Sequence, residues 1–192
     1  MSNSFYSREE LAGLGLKSYG ENVLISRKAS FYAADKIELG SNVRIDDFCV
    51  LTGKISLGNY VHIAAGVMLF AGDAGICFES YTTISSRGAV YAMTDDYSGA
   101  HMTNPMIPKK YSGVTGEPVR ICRHSIIGTG CTILPGVTLG EGTAVGAMTL
   151  ISSSTEPWGI YLGVPAVRVK ERSRELLEHF KEFEAELGSA AE

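Results

Sequence analysis

An aliphatic residue returns every six positions along much of this chain, and that period limits its possible folds more than any other feature. Leu39, Ile45, Leu51, Leu57, Ile63 and Leu69 form one run, and Ile121, Ile127, Ile133, Leu139, Val145 and Ile151 form another. Shorter runs link Ile25, Phe31 and Ile37, and then Phe78, Ile84 and Val90. A helix repeats its apolar face every ~3.6 residues and a half-buried strand every ~2, so a period of six fits neither. A triangular coil does fit: each hexad supplies a short strand and a corner, and three hexads complete a turn of about 18 residues. The aliphatic side chains then point inward and stack from coil to coil. Backbone hydrogen bonds run between coils, so the strands are satisfied without sequence-distant partners. The residue after the aliphatic is small or polar (Gly40, Asp46, Gly58, Ala64, Gly128, Gly140, Gly146). A second small or apolar residue follows four positions after the aliphatic (Val43, Cys49, Val61, Val67, Cys131, Val137). Gly and Asn at such corners relieve the cost of a positive φ. An ordinary β-sandwich with Gly-rich turns is the alternative, and two unbroken runs argue against it.

The repeat breaks at three places. Ile37 to Leu39 is a two-residue shift, and Leu69 to Phe78 carries three extra residues around Ala71 to Gly75. The third break is an excursion that holds Asp95, Asp96, His101, Pro105, Pro108, Pro118 and Lys109-Lys110. Long excursions from a compact solenoid are usually functional or disordered, and the anchors Tyr97, Met102, Met106, Ile107 and Tyr111 favour an ordered arm. At the start, Ser7-Arg-Glu-Glu10 reads as a helix N-terminus with Ser7 as its cap. Beyond Lys170, Leu176, Leu177, Phe180, Phe183 and Leu187 fall at helical spacing, and Gly188 to Glu192 read as a frayed end. The chain therefore divides into an N-terminal cap segment (1–20), a β-helix (21–170, with an inserted loop at 91–120) and a C-terminal helix (171–192).

With 192 residues and 45% hydrophobic content, the chain can bury one substantial core. A net charge of −4 gives no basic footprint for nucleic acid or an anionic membrane. Met1 to Glu10 contains no apolar signal-peptide core, and no apolar stretch is long enough to span a bilayer. Cys49, Cys77, Cys122 and Cys131 show neither CxxC nor metal-ligand spacing, and read as reduced thiols packed in tight coils. These features describe a cytoplasmic protein with no expected metal, nucleic-acid or membrane partner.

Leu139-Gly-Glu-Gly-Thr-Ala-Val145-Gly-Ala-Met, followed by Gly163-Val-Pro-Ala166, resembles the C-terminal signature of hexapeptide-repeat acyltransferases. Ile133-Leu-Pro-Gly-Val-Thr-Leu-Gly adds to that likeness, which extends over about residues 20 to 172. Phe5-Tyr-Ser-Arg-Glu-Glu-Leu, Asn22-Val-Leu-Ile-Ser-Arg-Lys-Ala-Ser30, Asn42-Val-Arg-Ile-Asp-Asp-Phe-Cys49 and Trp158-Gly-Ile-Tyr narrow the resemblance. They are similar to acyltransferases of bacterial surface-polysaccharide (lipopolysaccharide, O-antigen) gene clusters, of the dTDP-4-amino-4,6-dideoxy-D-glucose acyltransferase type. The resemblance implies a left-handed parallel β-helix and a homotrimer with sites between adjacent prisms. It also implies acetyl-CoA as the acyl donor and a nucleotide-linked amino sugar as the acceptor. Thr129, Ala147, Ser152 and Ser153 are its implied coenzyme A contacts, with Arg168, Lys170 and Arg172 available for phosphates. Val167 stands where family members often carry a basic residue. Trp158 is left with two roles, packing on the coenzyme or capping the core.

Direct attack of an amine or hydroxyl on a thioester needs a proton acceptor and an oxyanion donor. Many relatives carry a catalytic His just before the arm. That place falls near Asp95 here, so Asp95 or Asp96 takes the role, or another His does. Arg44 and His62 are 18 residues apart, which stacks them on one face, with Asp46 and Asp47 near the same edge. Asp95 and His62 are thus the catalytic candidates, and Arg44, Asp46, Asp47, Asp96 and His101 the acceptor-binding ones. His124 and His179 read as surface residues. The absent His favours N-acylation, since an amine needs a weaker base than a hydroxyl. The competing readings are O-acetylation of a galactoside or polysaccharide, a drug-modifying acetyltransferase, and a β-helix used only for binding or scaffolding, as in carbonic-anhydrase-like zinc prisms. Such zinc prisms need histidines on adjacent coils, and one coil beyond His62 lie Ser80 and Tyr81.

Overall fold

The computed structural model describes residues 4–189. The chain winds as a three-sided parallel β-helix. One face is a sheet of two-residue strands: Leu24–Ile25, Arg44–Ile45, His62–Ile63, Thr83–Ile84, Ile126–Ile127 and Ala144–Val145, then Gly159–Leu162. In each two-residue strand the first side chain faces outward and the second enters the core, where Ile25, Ile45, Ile63, Ile84 and Ile127 are fully buried. Register is strict from coil to coil, with Ile45 against Ile63, Ile63 against Ile84 and Ile127 against Val145. The hexad period is thus a stack of one inward side chain per strand.

The other two faces belong to one continuous sheet. In most coils a corner separates them. Val50–Leu57 and Met68–Phe78 instead run through that corner as single long strands. The three extra residues near Ala71 to Gly75 are absorbed there as a stepped register shift, one residue between pairs Thr52–Phe70 and Gly53–Gly72 and two between Gly53–Gly72 and Ile55–Ile76. This shift moves every later residue in the frame, so the coil partner of His62 is Thr83 rather than Ser80 or Tyr81. The excursion leaves after Ala89–Tyr91 and returns at Val119–Ile121. It is narrower than the interval expected from the sequence, because both ends pair as strands. It is ordered by an antiparallel pairing of Met93–Thr94 with Thr115–Gly116.

Corners adopt positive φ at many non-glycine residues, a conformation that costs roughly 1–2 kcal/mol per residue outside glycine. One corner stacks aromatics in this conformation: Tyr60 on Tyr81 at 5.0 Å between ring centroids, and Tyr81 on His124 at 5.6 Å. A helix, α2 (Leu176–Ser189), covers this stack through Phe180 and Phe183. His124 is consequently buried, contrary to the surface position expected, and burial with the neighbouring Arg123 lowers its pKa. The Tyr81 hydroxyl donates to Glu184, and burial together with that carboxylate raises its pKa to about 12. Higher on the corner, Trp158 is buried. A Cβ on Gly142 would lie 2.5 Å from the indole, so the stack needs glycine there. Trp158 is therefore a core cap.

α2 begins at Leu176, not near Glu171, because Val167–Glu171 pairs antiparallel with Gly159–Leu162 and closes the last coil. It continues through Ser189, so Gly188 is helical and not part of a frayed end; residues 190–192 lie outside the described residues. At the other end Ser7 caps α1 (Arg8–Ala12) with a reciprocal Ser7–Glu10 capping box, as expected. No helix is long and apolar enough to cross a membrane among the described residues. Replacing Ile127, which is fully buried in the ladder, by Ala is expected to destabilise the fold by about 2–5 kcal/mol. Equilibrium denaturant unfolding, followed by circular dichroism, checks this.

Candidate active site

The corner between the two-residue face and the face carrying Ala89–Tyr91 is lined by small and polar residues. The backbone N–H groups of Asp46, Ala64, Ser85, Gly128 and Gly146 each donate to a carbonyl one coil on (Ile63, Ile84, Ile127, Val145 and Tyr161). These five residues therefore form one column. A second column runs beside it: Gly66, Arg87, Gly130 and Met148 donate to the carbonyls of Asp47, Ala65, Ser86 and Thr129. The two columns run side by side along this corner, with acidic residues at its N-terminal end and Thr129 and Ala147 at its C-terminal end, so a second prism packed here would make it one wall of a groove. Thr129 Oγ1 donates to the Ser86 carbonyl at 2.7 Å and lies 3.3 Å from Ser86 Oγ.

At the acidic end every charge has a partner. Arg44 Nε donates to Asp46 Oδ1 at 2.7 Å, and His62 Nε2 lies 2.8 Å from Asp46 Oδ2. Burial raises the Asp46 pKa, but the hydrogen bonds from His62 and Arg44 and the Arg44 charge outweigh it, leaving the carboxyl below its ordinary value. His62 Nδ1 faces the Thr83 hydroxyl at 3.5 Å. Asp47 accepts from Lys28 at 2.9 Å and from the Ser26 hydroxyl, and both bonds lower its pKa. The expected stacking of Arg44 and His62 is present, as paired strand residues.

The arm places its residues elsewhere. Asp96 accepts from the backbone N–H groups of Ser98, at 2.7 Å, and of His101, at 2.8 Å, and lies 3.1 Å from His101 Nδ1. Hydrogen bonding to Ser98 and His101 holds its pKa well below the carboxylate range. Asp96 and His101 thus knot the arm. Asp95 is different: its carboxylate has no hydrogen bond or ion pair to the described residues. It lines a cleft of about 790 Å³ with Tyr91, Glu117, Leu134, Pro135, Leu150 and Ser152. Asp95 and His62 therefore lie on different edges of the prism, separated by the face that carries Ala89–Tyr91. Of the residues expected to meet coenzyme phosphates, Arg168 is paired with Glu171 at 2.6 Å and Lys170 is exposed. Arg172 is instead structural: its guanidinium donates to the His124 and Gly142 carbonyls at 2.7 and 3.0 Å. No cluster of three or more His, Cys, Asp or Glu suited to a metal occurs among the described residues.

No family model matches the chain. It is 43% identical over 172 residues to the dTDP-4-amino-4,6-dideoxy-D-glucose acyltransferase of Escherichia coli, covering 88% of this chain and 89% of that protein. It belongs to that acyltransferase family. A solved structure of AntD, an N-acyltransferase from Bacillus cereus, superposes with a TM-score of 0.93 at 47% identity. The match covers 97% of this chain and all of that one, and that AntD variant holds dTDP-4-amino-4,6-dideoxyglucose and coenzyme A. Another AntD structure, with a TM-score of 0.94, holds dTDP and 3-hydroxybutyryl-CoA. Galactoside acetyltransferase shares only the fold, at 17% identity and a TM-score of 0.53.

Sequence reading missed four residues of this acyltransferase that geometry brings to the same places. Ser85 and Ser86 continue the columns of Ala64 and Ala65, Thr83 faces His62, and Glu117 shares the Asp95 cleft. The three-residue insertion hid the first three, since a strict period of 18 puts other residues in those columns. The Asp46 pairing gives a pH prediction. Its folded pKa lies below the ordinary aspartate value of 3.8, so its stabilisation is complete above that value and is lost as pH falls through the folded pKa. Asp46→Asn is therefore expected to lower Tm at pH 7, with the gap to the unmodified protein closing as pH falls below 3.8. Thermal melts across pH 2–7, an interval set by that depressed pKa, check this.

Proposed function

We propose that this acyltransferase moves an acetyl group from acetyl-CoA to the amine of a nucleotide-linked amino sugar, such as dTDP-4-amino-4,6-dideoxyglucose. One observation carries the reading. Of the four candidate aspartates, Asp46, Asp47 and Asp96 are each tied to cations or backbone donors, and Asp95 alone opens uncommitted into a cleft. An uncommitted carboxylate attracts the substrate ammonium and then takes its proton. The freed amine attacks the thioester carbonyl, the C–N bond forms and the C–S bond breaks. The carboxyl passes that proton to the departing coenzyme A thiolate, and the regenerated carboxylate takes the second proton shed by the new amide nitrogen and releases it to solvent. The names of the E. coli relative and of AntD, and the ligands in the AntD structures, support this acceptor and a coenzyme A donor.

In this reading Thr129, Ala147, Ser152 and Ser153 line the path of the pantetheine arm, and Arg168 and Lys170 lie at its phosphate end. Arg44, Asp46, Asp47 and His62 border the acceptor, while Asp96 and His101 hold the arm that carries Asp95. A homotrimer fits the same geometry, because Asp95 and the small-residue groove sit on opposite edges of one face. A second copy would bring the arm of one chain to the groove of another. Phe48, Met68 and Met148 along the groove corner, and Tyr97 and Met106 on the arm, are exposed apolar side chains suited to that contact. The working place is the cytoplasm, in the biosynthesis of surface polysaccharide such as O-antigen. The His62–Asp46 pair is the observation that favours the second reading, O-acetylation of a sugar hydroxyl, since that reaction needs a stronger base.

Thiol release with dTDP-4-amino-4,6-dideoxyglucose, and none with its 4-hydroxy analogue, is the expected result; the reverse preference supports O-acetylation. Acetyl-CoA is expected to outperform 3-hydroxybutyryl-CoA in the same assay. Asp95→Asn is expected to lower kcat at least about tenfold, with the KM for acyl-CoA little changed. Unchanged kcat in that variant would move the proton to His62 or to solvent, which His62→Asn then distinguishes.

A further inference from the structure

The groove corner carries four cations. Arg27 pairs with Glu10, Lys28 with Asp47 and Arg44 with Asp46. Arg87, exposed on the same corner, has no carboxylate partner among the described residues. It stands in the column Phe48, Gly66, Arg87, Gly130, Met148, every member of which has a positive φ. Its neighbours one coil either side are both glycine, which adopt that conformation freely, whereas an arginine there does so at a cost.

The two glycines also give the column a direction. The Arg87 stem lies against Gly66, its Cγ 3.6 Å from where a Cβ would be. The Met148 side chain leans over Gly130 in the same sense, with its sulfur 2.4 Å from that glycine's Cβ position. The guanidinium stem is therefore laid toward the N-terminal coils, the half of the groove bordered by Asp46, Asp47 and His62. A thioether fills the column on the C-terminal side, toward Thr129 and Ala147. Ser85 and Ser86 adjoin Arg87 in sequence, and the Ser85 hydroxyl makes no hydrogen bond to the described residues.

We propose that Arg87 is the diphosphate anchor of the nucleotide sugar, so that acceptor and donor enter the groove from opposite ends and meet beside Ser85. The inference rests on the nucleotide-amino-sugar reading above. A guanidinium presents paired donors that match two phosphate oxygens. Acidic groups further down the groove would repel a diphosphate if they were bare. Asp47 is already paired with Lys28 and Asp46 with Arg44, which leaves Arg87 as the net positive charge at this corner.

The test separates the two substrates. Initial rates are measured for the unmodified enzyme, Arg87→Gln and Arg87→Lys, varying dTDP-4-amino-4,6-dideoxyglucose and acetyl-CoA in turn, with calorimetric titration of dTDP alone. Arg87→Gln is expected to raise the nucleotide-sugar KM and the dTDP Kd together, at least about tenfold. The kcat and the acetyl-CoA KM should stay within about twofold, and Arg87→Lys should recover part of the loss. An increase confined to the acetyl-CoA KM would assign Arg87 to the coenzyme and overturn the proposal, as would unchanged dTDP binding. An unmodified enzyme that neither binds dTDP nor acylates the sugar would sink the underlying reading instead.

Discussion

The hydrogen-bond ladder between coils is the constraint from which the rest of this structure follows. Each coil donates to the next, so residues at equivalent hexad positions stack at the strand spacing of about 4.8 Å. Inside, that stacking turns isolated aliphatics into continuous ladders such as Ile45, Ile63, Ile84 and Ile127. Outside, it turns single residues into columns running the length of the prism. A groove such as Asp46, Ala64, Ser85, Gly128 and Gly146 is therefore a by-product of the backbone. Its placement needs no flexible loop, and its chemistry can change residue by residue without disturbing the fold.

Two corners show how the same backbone serves opposite ends. Both hold residues at positive φ. Where those residues are Tyr60, Tyr81 and His124, their rings stack and α2 seals them with Phe180 and Phe183. Arg123 lies over Tyr81 and Phe180, and Arg174 over Trp158, so cations close the edges of the cluster. Where the neighbouring positions are Ala, Ser, Thr and Gly, the corner stays open as a groove.

The fold was legible because its core follows a number. The six-residue period marks the inward ladders, and the likeness of residues 20 to 172 to acyltransferases of this kind rested on motifs such as Leu139 to Met148 and Gly163 to Ala166. The pairing of Arg44 with His62 was legible for the same reason, being one undisturbed coil apart. What failed were positions displaced by an insertion or decided by a distant element. Three residues absorbed in Met68–Phe78 moved Thr83 and Ser85 into columns where a strict period places others. His124 is buried only because α2 settles on its corner, and Arg172 is held by two carbonyls from different coils. Neither contact leaves a trace in local sequence. Asp95 and Asp96 are adjacent and alike in sequence, and hydrogen bonding alone separates a knot in the arm from an uncommitted carboxylate.

That contrast extends to the charges of the groove as a whole. An exposed ion pair contributes little to stability, about 0–1 kcal/mol, so Lys28 and Asp47 are poorly explained as props for the prism. They make better sense as neutralisation, removing field from a wall along which a charged substrate must pass. Against that neutralised wall, a bare carboxylate and a bare guanidinium each act with less competition. On the proposed chemistry, Asp95 meets the ammonium that must lose a proton and Arg87 the phosphates that must not move. Selectivity for a molecule bearing both charges then comes from the distance between these two groups across neighbouring chains. A sugar with the amine but no diphosphate would satisfy only one of them.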